Sequence, residues 1–379
     1  MILSLPTLND PQLPAQLAGW AAVHPRGGVI ALVADADRQH IGALQAAARA
    51  AEIPLIGAVF PALLQGDAFT ARGATLQLVE QMPPHGILTD IPEDPERAGP
   101  VIAEAIIQAG SPEGEAPTLV MHFDALLPAI GSTLDALYME LGDQVRYAGG
   151  NAGSETFSPV DCLFDAHRSG QRGLTFLLLP PEVRPHLAHG YSAPTRVLTA
   201  TAAEGNEVRH IDWRPAFEVY REVLGADLGV ELDAATFYQH AVHFPFGILR
   251  ATGDVVVRIP TSLTPEGGLR CVGEIQAGAL LVLLSGGAGE IGRAVAELGR
   301  SLVAEAGGRI LGSVLTYYCA GRRMHLGQAA DQELIELRAR LGGAPVWGAL
   351  TLGEIGGREG WGYPLLHNAA LLGLAWPRP

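Results

Sequence analysis

The chain has 379 residues, of which 48% are hydrophobic and 17% charged, with 47 glycines and a formal net charge of −15. At roughly 150 residues per domain the length predicts two or three domains, and the acidic balance excludes a nucleic-acid binder built on phosphate neutralisation. All 25 basic residues are arginine, which excludes a Schiff-base lysine and a Walker A loop; Cys162, Cys271 and Cys319 lie too far apart to form a CxxC or a disulfide framework.

In chain order, the first segment alternates strand and helix patterns. "GGVIALVAD" predicts a strand, and "ADRQHIGALQAAARAAE", with Ile41, Leu44 and Ala48 at helical spacing, predicts a helix. "IPLIGAVFPALL" and "HGILTDI" read as strands, and "PVIAEAIIQAG" as a helix with Pro100 in its first turn. "TLVMHFDAL" reads as a strand and "GSTLDALYMELGDQ" as a helix. From Val145 to Pro180 the pattern is short strands and turns, closing on the apolar run "GLTFLLL". "PTRVLTATAAEGNEVRHID" predicts a β-hairpin turning near Gly205-Asn206, and "WRPAFEVYREVLG" a helix capped by Asp212. "FPFGILRA", "DVVVRIPTSL", "GGLRCVGEI" and "ALLVLLSG" are strands joined by Gly/Pro turns. A helix ("EIGRAVAELGRSLVAEAG"), a strand ("GSVLTYYCAG") and a second helix ("DQELIELRARLG") follow, then "APVWGALTLGEIGG" and "PLLHNAALLGLAW". No internal repeat is visible. The order predicts an α/β protein with α+β character, two mixed-sheet α/β lobes packed together, residues 1–225 and 226–379. "MILSLPTLND" carries no signal-peptide pattern and no apolar run reaches about 18 residues, so the expectation is a cytoplasmic protein with no membrane contact.

Four stretches could carry chemistry. In "TYYCAGRRMH" a buried strand ends at Cys319 and meets Arg322 and Arg323. Ligands of α/β folds sit outside strand carboxyl ends, and a guanidinium fork suits a carboxylate or phosphate. The bland alternative is a solvated charge beside a core cysteine. Arg322 is expected to point into a pocket and Arg323 to face solvent. In "GALTLGEIGG", Glu354 follows an apolar strand among glycines, which allow a ligand close to the backbone, or is a solvated turn residue. In "PLLHNAALLG", His367 and Asn368 break an apolar run, as pocket-lining groups or as a satisfied core pair. In "YAGGNAGSE", Gly150 and Asn151 form a Gly-rich turn that could offer backbone N–H groups to an anion, or a turn that needs no ligand. No GxSxG elbow, HExxH motif or His/Cys cluster at metal spacing occurs, so no metal site is expected.

These motifs resemble the FIST domains. The C-terminal likeness runs from "FPFGILRA" through "GGLRCVGEIQAGALLVLL" and "TYYCAGRR" to "VWGALTLGEIGG" and "LLHN". The N-terminal likeness covers "YAGGNAGSE", "CLFDAHRSGQRGLTFLLL" and "HLAHGYSAPTRVLTATAAEGNEVRHIDWRPAFEVY". The resemblance implies a sensory module that binds a small ligand, an amino acid or other small carboxylate, and places Cys319, Arg322, Glu354, His367 and Asn368 at signature positions. It implies a separate signalling partner, such as a histidine kinase, because no output domain is visible. One branch of the family implies an alternative, a haem-binding nitric-oxide sensor with His189 or His367 as axial residue. A third reading is an enzyme using Cys319 as a nucleophile whose pKa is lowered by Arg322. The first reading expects Arg322 and Glu354 to face each other across a cleft.

Overall fold

The continuous apolar runs fold as strands buried on both faces, as parallel strands must be. The structure is a computed structural model and describes residues 1–110, 114–251, 253–286, 288–307, 311–357 and 362–377. Three parallel pairs form its frame: Gly28–Ala34 with Leu55–Phe60, Thr118–Asp124 with Arg146–Ala152, and Leu311–Cys319 with Val346–Thr351. A parallel pair needs a crossover. The crossovers here are helical: Ile41–Ala50, Ile130–Leu141, and Ala320–Leu326 followed by Ala329–Arg340.

Each pair is the centre of a module with one plan. An edge strand and a helix come first, then the parallel pair, a short hairpin and a closing strand. The closing strand (Ala74–Val79, Leu174–Leu179 or Leu371–Pro377) lies antiparallel between the first strand of its pair and the module's own edge strand (Ile2–Leu5, His85–Leu88 or Pro185–Ala188). The hairpin leaves its own sheet. Ala62–Gln65 of the first module pairs with Val346–Thr351 of the third, Leu163–Asp165 of the second with Leu55–Phe60 of the first, and Glu354–Gly356 of the third with Arg146–Ala152 of the second. The three six-stranded sheets are therefore cyclically interlocked. The equivalent residues Leu32, His122 and Tyr317 show how the modules have diverged. His122 and Tyr317 share a hydrogen bond of 2.6 Å between Nε2 and the hydroxyl, while Thr175 lies 3.1 Å from His122 Nδ1.

The third module is interrupted by an eight-stranded sheet built from residues 198–283, with helix Ala216–Leu228 packed against it. Mixed sheets and helices make this an α/β protein, as the sequence predicts, and three of the four sheets among the described residues take strands from both sides of residue 225.

Local departures from the sequence reading have physical causes. "IPLIGAVFPALL" is two strands in two sheets, parted at Pro61, which has no N–H for a ladder. "YAGGNAGSE" is a strand over Arg146–Ala152, not a turn, because its glycines admit a neighbouring backbone. The third helix begins at Pro95 on the Asp94 cap, leaving Pro100 inside it. Asp212 caps no helix; its carboxylate accepts from Thr199 N at 2.9 Å. Among the described residues no helix is long and apolar enough to cross a membrane.

Candidate functional site

The strand carboxyl ends of the second and third modules meet at Glu354. It pairs with Gly150 on one side and His367 on the other. The interlocked hairpins put Leu63, Leu163 and Glu354 at equivalent places, so a carboxyl group replaces a core leucine. Glu354 is fully buried. It accepts from Thr351 Oγ1 at 2.6 Å and from Ala370 N at 3.2 Å, and the Cys319 thiol also hydrogen-bonds to it. Burial outweighs these donors and the nearby charge of Arg322, and raises its pKa to about 8. Gly150 leaves room for Thr351, whose Cγ2 would lie 2.6 Å from a Cβ at that position. Asn151 is buried, and its Oδ1 has no partner among the described residues. Asn368 is a brace: its Oδ1 accepts from Ile259 N at 3.3 Å and its N–H donates to Val257 O at 3.2 Å.

Arg322 does not face Glu354 across a cleft. The strand passes directly into the helix Ala320–Leu326, which turns Arg322 inward. Its Nε and Nη2 donate to Glu333 at 2.8 and 2.6 Å, and Nη1 donates to His189 O at 2.8 Å. Tyr318 donates to the same Glu333 carboxylate at 2.6 Å. Burial opposes the charge of Arg322, but the Glu333 hydrogen bonds and charge more than offset it and hold the guanidinium ionised. Arg323, expected in solvent, is half-buried with its guanidinium 4.5 Å from the Phe69 ring centroid. Nor is Cys319 activated: burial, and then Glu354, push its thiol pKa up, the reverse of what a nucleophile needs.

What opens to solvent is a cleft of about 540 Å³ beside this network. It is lined by the turn from Leu187 to Ser192, by Asp254 and Val255, by one face of helix Ala288–Glu305, and by His367. Tyr191 and His367 are 7% and 4% exposed, and neither the Tyr191 hydroxyl nor His367 Nδ1 has a partner among the described residues. Both are neutral at pH 7. Burial raises the Tyr191 pKa. Burial, then the charges of His189, Arg258 and Arg250, hold His367 well below the usual histidine value. His189 is half-buried, and burial, with Arg322 next, lowers its pKa to about 4. Its Nδ1 accepts from Tyr191 N at 3.1 Å, which puts the proton of the neutral ring on Nε2. Arg293 and Arg300 supply cations to the wall, and Asp254 and Glu297 supply anions.

Of the residues named from sequence, His189 and His367 line this cleft. Cys319 and Glu354 are brought together behind it, while Gly150, Asn151 and Asn368 hold the strands that carry them. Sequence reasoning missed Tyr191, Asp254, Arg300 and Glu333. Tyr191 follows His189 in "AHGYS", a polar break between two strands; Glu333 lies eleven positions after Arg322 and signals its role only through the fold. Among the described residues no group of three His, Cys, Asp or Glu could hold a metal ion.

Comparison with known families agrees with the motif reading. The FIST N domain matches residues 28–214 and the FIST C domain matches residues 216–357, together most of the chain. No curated protein matches it.

Proposed function

The chain belongs to the FIST family, whose domains are associated with sensory signal transduction, and on that premise we propose that it senses an amino acid or other small carboxylate in the cleft at His367. One observation carries the reading: two buried polar atoms without partners among the described residues, Tyr191 Oη and His367 Nδ1, belong to residues lining a concavity whose wall also bears Arg293, Arg300, Asp254 and Glu297. Buried polar groups are normally satisfied, so the cleft offers hydrogen bonds to a guest. The carboxylate of an amino acid would face the arginines and its ammonium the acids. Ligation would draw the turn Leu187–Ser192 toward helix Ala288–Glu305, and a separate partner would read that change. A histidine kinase is the partner class suggested by the family resemblance. A thermal-shift panel of amino acids and small dicarboxylates at millimolar concentration tests this. Stabilisation of about 2.7 kcal/mol is expected when ligand reaches a hundred times its Kd. The same ligand should lose its shift in Arg300→Ala; no shift with any compound contradicts the proposal.

A second reading rests on the neutral imidazole of His367 in the same cleft. Haem iron takes such a ligand, and the wall arginines suit propionates. His189 fits less well, because its Nδ1 already accepts a backbone N–H. A Soret band that appears on reconstitution and is lost in His367→Ala supports haem; a colourless protein after reconstitution removes it.

A further inference from the structure

A further cavity lies at the other end of the frame. It measures about 1240 Å³ and is bounded by all three modules: Ser4 and Gln77 of the first, Leu178 of the second, and Ser313, Trp347 and Trp376 of the third. Ser313 lies near the start of the strand that ends at Cys319, so at about 3.3 Å per residue this cavity lies roughly 20 Å from the Glu354 network.

Two of its buried polar atoms lack partners among the described residues. Trp347 is 1% exposed and its indole Nε1–H has no acceptor among the described residues. Gln77 is 8% exposed and its Oε1 has no donor, while its Nε2 donates to Leu78 O at 3.3 Å. Both line this cavity, and the register links them. Trp347 pairs with Gln65, whose Nε2 donates to Thr75 Oγ1 at 3.2 Å, and Thr75 shares a strand face with Gln77. The Trp347 and Trp376 rings, with centroids 6.4 Å apart and planes at 43°, form an angled aromatic wall. Among the described residues the cations lining the cavity are Arg338, paired with Asp67 at 3.0 Å, and the Met1 ammonium, which donates to Leu78 O at 2.8 Å and lies in the field of Glu80, so both are matched and the site suits a neutral guest.

The geometry points to a second ligand site, for a neutral planar heterocycle whose edge carries both an acceptor for the Trp347 N–H and a donor for the Gln77 carbonyl, as a lactam or imide does. The aromatic wall takes the ring face, and the two unmatched atoms read the edge.

Lumichrome, a neutral tricycle with an imide edge, is the probe, and its fluorescence anisotropy in the presence of the full chain is the readout. Saturable binding is expected. Trp347→Phe and Gln77→Leu should each weaken it about tenfold, the value of one hydrogen bond, while Tyr191→Phe in the other cleft leaves it unchanged. Trp347→Phe also trims a buried ring and Gln77→Leu also removes the Nε2 bond to Leu78 O, so the urea midpoint of each variant is measured and binding is compared under conditions where each is fully folded. A second arm needs no variant: lumichrome methylated at both of its ring N–H groups should bind the unaltered protein at least about tenfold more weakly. Absence of saturable binding up to about millimolar lumichrome overturns the site, and so does equal affinity for the methylated compound.

Discussion

At the scale of single residues, charge and burial decide the site. Arg322 and Glu333 form a forked ion pair with both partners out of water, so removing one leaves the other charged and alone. Glu333→Ala should cost about 3–5 kcal/mol in urea unfolding, whereas replacing both partners by apolar residues of similar volume should cost far less. Equal losses in the single and double variants would mean that the pair is solvated. Glu354 gives the opposite signature. Its pKa, raised from 4.5 to about 8 by burial, means that the folded chain holds a proton that the unfolded chain has released. Its contribution is therefore fully present below about pH 4.5 and is lost as pH rises toward 8. The buried histidines His122, His189 and His367 are depressed, so they destabilise the fold as pH falls below 6.5. Across the interval from about 6.5 to 8 Glu354 lowers stability as pH rises, while the Met1 amino group, depressed by burial from 8.0, raises it, so in Glu354→Gln the slope of stability against pH should become more positive. An unchanged slope would place an ionised carboxylate there instead. The sequence marked Arg322 and Glu354 as unusual by their position after apolar strands. It could not supply their partners, because the helix that turns Arg322 inward also brings up Glu333 from the next one.

Among the elements, the tightest constraint is the parallel pair at the centre of each module. Gly57, Gly149 and Gly348 are equivalent, and a Cβ at each would lie 2.5, 1.9 and 1.7 Å from a carbonyl oxygen of the paired strand. No rotamer relieves a clash with backbone. Gly149→Ala and Gly348→Ala should destabilise by about 3 kcal/mol or more, or prevent folding. Gly42→Ala, in open space on a helix, should be neutral or stabilising by up to about 1 kcal/mol. Comparable chemical-denaturation midpoints for all three variants would refute the close approach. Most elements were legible because apolar runs and 3.6-residue periodicity are local. The strand over Arg146–Ala152 was not. Its glycines read as a turn when viewed alone and as a strand only when Met121 and Thr351 press against them.

Across the whole molecule, the plan is three modules exchanging hairpins in a ring, and this was invisible in the sequence. The modules share a pattern of burial rather than identities: where two place Leu63 and Leu163, the third places Glu354, and a long insertion interrupts the third. Cyclic exchange also binds the two halves of the chain. Fragment 1–225 lacks the partner of Ala62–Gln65, and fragment 226–379 lacks the strand that Glu354–Gly356 joins. Each expressed alone should fail to unfold cooperatively, whereas the two mixed should recover a cooperative transition; cooperative unfolding of either half alone would contradict the interlocked plan. That frame fixes the turn Leu187–Ser192, helix Ala288–Glu305 and His367 around one cleft. Calorimetric titration of the full chain with amino acids and small carboxylates, repeated on Tyr191→Phe and Arg300→Ala, tests the sensory reading most directly. The account predicts saturable heat with at least one such compound and at least about tenfold weaker binding in each variant. Absence of heat across the series, or undiminished affinity in both variants, would contradict it.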